Sequence, residues 1–179
     1  MEQRSLILLG LLMSESQHGY QLNDFIEKNL STMTNMKKPT AYATLEKLCN
    51  EGYIEVQVEQ EGNRPPRKVF SINEEGKQYF YTLLISNLSS AENVNFQGDI
   101  GLMFLDHLPI NKAIEALEER LNQTMDIVMM LEETPSHGKG TGIDIAIEHK
   151  ITMLKAEVSF IEKTVEKLHL KKQGNIDTI

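Results

Sequence analysis

Apolar residues crowd the first turns of the chain. From about Gln3 to Met13, Leu6, Ile7, Leu8, Leu9, Leu11, Leu12 and Met13 predict a helix that is apolar nearly all round. Such a helix needs cover on more than one side, so Leu8 and Leu12 are expected to face a partner as well as their own domain. Ser14 to Gln17 reads as a polar break, and His18-Gly19 opens a second helix from about Tyr20 to Leu30, with Leu22, Phe25, Ile26 and Leu30 on one face. Polar Ser31 to Lys38 makes a connector. A third helix spans Thr40 to Asn50, with Pro39 at a first-turn position and Gly52 as its stop. Ala41, Leu45 and Leu48 point to the core, while Thr40, Tyr42, Thr44 and Lys47 project from the opposite face.

Period-two alternation follows. Ile54, Val56 and Val58 alternate with Glu55, Gln57 and Glu59, and Phe70 and Ile72 share a parity, which predicts a hairpin of strands Ile54–Gln60 and Lys68–Ile72 with its apolar side on the core. Its tip reads Gly62-Asn63-Arg64-Pro65-Pro66-Arg67-Lys68, basic and stiffened by prolines. Asn73 or Ser71 caps a fourth helix from Glu74 to about Leu88.

Three helices followed by a two-stranded wing suit DNA. A helix fits the major groove, about 12 Å wide, and a basic wing clamps adjacent phosphates. The proposed contacts are Lys37, Lys38, Thr40, Tyr42, Thr44, Lys47, Arg64, Arg67 and Lys68.

The second half has another rhythm. Ile147, Ile151, Leu154, Val158, Ile161, Val165 and Leu168 are spaced 4, 3, 4, 3, 4, 3, and Ile114, Leu117, Leu121, Thr124, Val128 and Leu131 repeat it with one polar position. Heptads sustained this long ask for partner helices, so the first of these rows is expected to dimerise the chain. A segment helical from Ile143 to Lys172 is about 45 Å long at 1.5 Å per residue. A solitary long hairpin of the two helices is the other reading. The expected organisation is mostly α with a small β-wing: a winged helix-turn-helix DNA-binding domain over residues 1–88, a polar linker over 89–98, and a helical dimerisation domain over 99–179. A short helix over Gly101–His107 ends before Pro109.

Charge sharpens this division. The net charge is −8, but residues 1–88 carry 9 Lys/Arg against 11 Asp/Glu and residues 89–179 carry 9 against 15, giving −2 and −6. The basic residues of the first half concentrate on the helix lead-in and the wing, a local patch that favours geometrically fitted DNA over indiscriminate binding. The 40% apolar, 25% charged composition is that of a soluble protein. The lone Cys49 forms no intrachain disulfide and suits a reducing cytoplasm. Leu6–Met13 is too short to span a bilayer, and no leader pattern surrounds it, so no membrane role is expected.

Other chemistry finds little material. The five His lack metal-ligand spacing, and the adjacent pairs Glu74-Glu75, Glu118-Glu119 and Glu132-Glu133 point in different directions on helices, so neither an enzyme nor a cofactor is implied. The Gly138-Lys139-Gly140-Thr141 fragment lacks the glycine and the preceding strand of a phosphate loop and reads as an interhelical turn. Met103, Phe104, Met125, Met129, Met130, Met153 and Phe160 are an adaptable apolar set, read either as helical core or as the lining of an effector cavity at the domain junction.

One resemblance is ordered and nearly continuous over residues 5–80. His18-Gly19-Tyr20-Gln21-Leu22, Thr40-Ala41-Tyr42-Ala43-Thr44-Leu45-Glu46-Lys47-Leu48, Glu51-Gly52-Tyr53-Ile54 and the segment from Gly62 to Ile72 with Glu75-Gly76 resemble PadR-type transcriptional regulators. The resemblance implies a dimeric bacterial repressor on an inverted-repeat operator, with DNA contacts at Tyr42, Arg64, Arg67 and Lys68. Tyr20 and Asn63 lie in the matching motifs and join that set. It also implies a small aromatic acid or drug as effector. Where the family often has Ser-Xaa-Gly-Thr-Xaa-Tyr, this chain has Lys37-Lys38-Pro39-Thr40-Ala41-Tyr42, with proline in the place of glycine. A winged-helix module for protein interaction, without DNA, is the alternative.

Overall fold

A computed structural model of the chain describes residues 2–18, 22, 36–60, 66–91, 96–136 and 141–174. The chain divides into two compact units, Met1–Asn93 and Val94–Ile179.

The N-terminal unit is built on α1 (Glu2–His18), α2 (Lys38–Asn50), the antiparallel strands β1 (Ile54–Glu59) and β2 (Arg67–Ile72), and α3 (Glu74–Ser89). Helix α1 packs on α3, α2 and β2. It runs through the expected polar break, because serine, glutamate and glutamine do not stop a helix already nucleated. Of the expected second helix only Leu22 lies among the described residues, helical and buried.

The core joins Leu8, Leu9 and Leu12 of α1 to Ala41, Leu45 and Leu48 of α2, Ile54 and Phe70 of the hairpin and Leu83 of α3. Leu8 is 0% and Leu12 2% exposed within their own domain. This corrects the expectation that they reach a partner; half-buried Leu6, Ile7 and Leu11 are the residues of α1 at the edge of the core. A 17-residue helix crossed by several elements is covered on more than one side without leaving the chain.

Helix α2 stops as its sequence dictates. Gly52 has φ +80, Gly52 N–H donates to Cys49 O at 3.1 Å and Tyr53 N–H to Leu48 O at 3.0 Å, the paired bonds of a Schellman motif. Asn73 caps α3: its Oδ1 accepts from Gly76 N–H at 2.9 Å, and its Nδ2 donates to Gly52 O at 2.8 Å. One side chain thus fastens α3 to the turn between α2 and β1. Tyr53 stacks on Tyr79 of α3 at 4.2 Å between ring centroids. Only glycine fits at position 76, since a Cβ there would lie 2.0 Å from Tyr53 O.

The C-terminal unit contains α4 (Gln97–Met103), a single 3-10 turn (Leu105–His107), α5 (Ile110–Glu132) and α6 (Gly142–Gly174). Helix α6 has 33 residues and is about 50 Å long. It pairs with α5, with Lys155–Glu132 at 2.6 Å, His169–Glu118 at 3.6 Å and a short Arg120–Glu157 pair along the interface. Ala113, Ile114, Leu117, Thr124 and Val128 of α5 are buried, as is Ile161 of α6, while Ile147, Ile151, Leu154, Val158, Val165 and Leu168 are half-buried. The two heptad rows therefore serve each other in part within one chain. A two-helix layer covers only one side of each helix, and Met125, Met129, Met153 and Phe160 stay exposed.

Candidate nucleic-acid interface

Three buried residues orient α2. With Ala41, Leu45 and Leu48 turned into the core, the opposite side of the helix is left outward. Lys38, Tyr42, Glu46 and Asn50 recur at every fourth residue and form one row that winds from the flank of the core at Lys38 to the outward side at Asn50. Lys38, Glu46 and Asn50 are exposed; Tyr42 is half-buried, its ring packed on the rim of the core. Thr40 and Thr44 are also half-buried, and Thr44 Oγ1 donates to Thr40 O at 2.7 Å. That bond uses the Thr44 proton, so this side chain presents an acceptor and a methyl group. Lys47 is exposed and lies 3.5 Å from Glu51.

The start of α2 suits an anion. Lys37 at the N-cap makes no side-chain cap bond, and the first turn holds no acidic residue. Unpaired N–H groups at a helix N-terminus attract phosphate, whereas lysines there oppose the helix dipole. Lys37 and Lys38 therefore carry a small stability cost that a nearby phosphate would reverse. Pro39 sits in the same first turn, where its missing N–H costs nothing.

The hairpin leaves the domain as a wing. Its register pairs Ile54 with Ile72, Val56 with Phe70, Val58 with Lys68 and Glu59 with Arg67. Ile54 is 2% exposed but Val56 is 39% and Val58 69%, which corrects the expectation that all three pack on the core. The parity was right; the strand simply outruns the core, since its 6 residues span about 20 Å. Lys68 is held beside the helix, its Nζ 3.5 Å from Glu46 Oε1. Arg67 belongs to β2, one residue earlier than expected. Tyr20, Asn63 and Arg64 lie outside the described residues.

Sequence reasoning missed Glu46 and Asn50, which share the row of Tyr42. Their signal is the four-residue spacing itself. It also missed the Asn73–Gly52 bond, which links residues 21 positions apart and has no sequence signal.

Other candidates come together less well. The apolar set Met103, Phe104, Met125, Met129, Met130, Met153 and Phe160 is exposed on the C-terminal unit. A groove of about 440 Å³ near the α5–α6 connection is lined instead by Leu131, Ile147, Ile151 and Lys155, among others. Among the described residues no group of three metal-ligating side chains exists, and no helix is long and apolar enough to cross a membrane.

An outward helix row, a helix start open to anions and a two-stranded wing tied to that helix define a winged-helix domain. Residues 8–82 match the Transcriptional regulator PadR-like family. These residues are thus similar to a PadR-type winged-helix domain. It is 24% identical over 116 residues to the negative transcriptional regulator PadR of Bacillus subtilis, a stretch that is 65% of this chain and 64% of that relative's length. The fold is similar to that of Bacillus subtilis PadR in complex with operator DNA, with a TM-score of 0.74 at 18% identity over 94% of this chain and 99% of that one. It is also similar to the same regulator in complex with p-coumaric acid, with a TM-score of 0.70 at 17% identity over 93% and 97%.

Proposed function

We propose that the protein is a cytoplasmic transcriptional repressor, not an enzyme, that binds an inverted-repeat operator as a homodimer. The observation that carries this reading is the geometry of α2 and the wing: Tyr42 shares an outward row with Lys38, and Lys68 stands beside that row on a projecting strand. In this reading α2 lies in the major groove. Thr40, Tyr42 and Thr44 meet base edges, while Lys37, Lys38, Lys47 and the wing cations Arg64, Arg67 and Lys68, with Tyr20 and Asn63, hold the backbone. The similar fold of Bacillus subtilis PadR, known in complex with operator DNA, supports DNA as the partner.

Homodimerisation is part of the proposal. Two-fold protein symmetry matches an inverted repeat, and the exposed apolar side of the α5–α6 hairpin offers the surface. The half-buried positions Ile147, Ile151, Leu154, Val158, Val165 and Leu168 would complete their burial against a second copy. Release by a small aromatic effector rests on the relative that binds p-coumaric acid. The net charge of −2 over residues 1–88, from 9 cations and 11 anions, favours the second reading, a protein-interaction module without DNA.

Footprinting on the DNA upstream of the protein's own gene separates the two. A protected segment with two-fold symmetric sequence is expected. No protection at any salt concentration would overturn the repressor reading in favour of the interaction module.

A further inference from the structure

Glu46 sits on the row that Tyr42 presents, one helical turn away from it and one from Asn50. Its carboxylate is exposed and 3.5 Å from Lys68 Nζ. An exposed pair of this kind contributes little stability, and a negative charge here opposes every phosphate of an approaching duplex. Stability does not explain the residue.

Resting on the DNA-binding reading above, we propose that Glu46 is a specificity-determining residue that reads a cytosine by exchanging Lys68 for the base. Without DNA, Glu46 holds Lys68. When the domain docks, Lys68 moves to a phosphate, and the Glu46 carboxylate is left facing the major groove. There the cytosine N4 amino group donates to a carboxylate with no acceptor beside it on that base; the adenine N6 amino group also donates but sets the N7 acceptor against the second carboxylate oxygen, and guanine and thymine present only acceptors. On the right sequence both former partners are paired again. On a wrong one the carboxylate remains unpaired among phosphates, in a site that has lost water. The exchange is thus a penalty on all DNA that the cognate base removes, and it accounts for an acidic residue at the centre of a DNA-facing row.

The test is a parallel selection from a pool of random-sequence duplexes by the full-length wild type and Glu46→Gln, with titration of an unselected duplex by each. Glu166→Gln, the same charge change on α6, serves as control. The wild type is expected to enrich one cytosine per half-site. Glu46→Gln should lose that cytosine, keep the other enriched positions and bind the unselected duplex about two- to fivefold more tightly. Glu166→Gln should match the wild type in both. An unchanged consensus for Glu46→Gln, or an unselected duplex bound no more tightly, would overturn the proposal. A wild type that enriches no sequence would overturn the DNA-binding reading beneath it.

Discussion

Replacing Asn73 with alanine removes two bonds from one side chain. The Oδ1 cap of Gly76 N–H, at 2.9 Å, starts α3, and loss of such a cap costs about 1 kcal/mol. The Nδ2 bond to Gly52 O, at 2.8 Å and exposed, adds about 0.5–1 kcal/mol. The expected loss for Asn73→Ala is therefore about 1.5–2 kcal/mol. Asn73→Ser keeps a capping oxygen and loses only the bond to Gly52, so about 0.5–1 kcal/mol is expected. Urea denaturation followed by circular dichroism, at fixed protein concentration, measures both against the wild type. The order wild type, serine, alanine is the prediction. Equal stability of the serine and alanine variants would refute the cap, and a serine variant as stable as the wild type would refute the tie to Gly52.

If the wing neutralises phosphates, Arg67→Ala weakens cognate and random duplexes alike and lowers the salt slope by about 1 per half-site; an unchanged slope in an affinity titration would make the wing a solvated turn. Deleting residues 140–179 removes α6 and bares the buried seam of α5, so light scattering should show a monomeric or aggregating product without operator binding; a stable active monomer would refute the dimer. Burial, then Tyr53, Glu51 and Glu2, raise the Tyr79 hydroxyl above its ordinary pKa of 10.0, with Lys47 opposing. A raised folded-state pKa means that stability is intact below the ordinary value and falls as pH rises through the folded one. Denaturation midpoints should thus fall more steeply above about pH 10 for the wild type than for Tyr79→Phe.

The sequence made the N-terminal elements legible wherever punctuation and period agreed. Gly52, Asn73 and the triplet Ala41, Leu45 and Leu48 each sit where one physical role is open to them, and the structure uses them so. It misled where the length of an element mattered. Val56 and Val58 have the parity of core residues, but parity does not say how far the core extends beneath a strand. Leu8 and Leu12 show the same limit for a helix, because an all-round apolar pattern does not reveal whether the cover comes from the chain or from a partner. In the C-terminal unit the heptads point to a dimer, with a solitary hairpin as the other reading, because the spacing does not say whether the partner helix belongs to the same chain; within one chain the two helices pair with each other. Glu46 is not legible in the sequence as a site residue, because an anion does not attract phosphate and its tie to Lys68 exists only in three dimensions.

The central claim is that the outward row of α2 reads sequence. Fluorescence anisotropy of wild type and Tyr42→Ala on a footprinted duplex and on a scrambled duplex of equal length, at one moderate salt concentration, tests it most directly. The substitution is expected to cost about 1–3 kcal/mol per half-site on the footprinted duplex and much less on the scrambled one. Equal losses on both duplexes, or none, would contradict it.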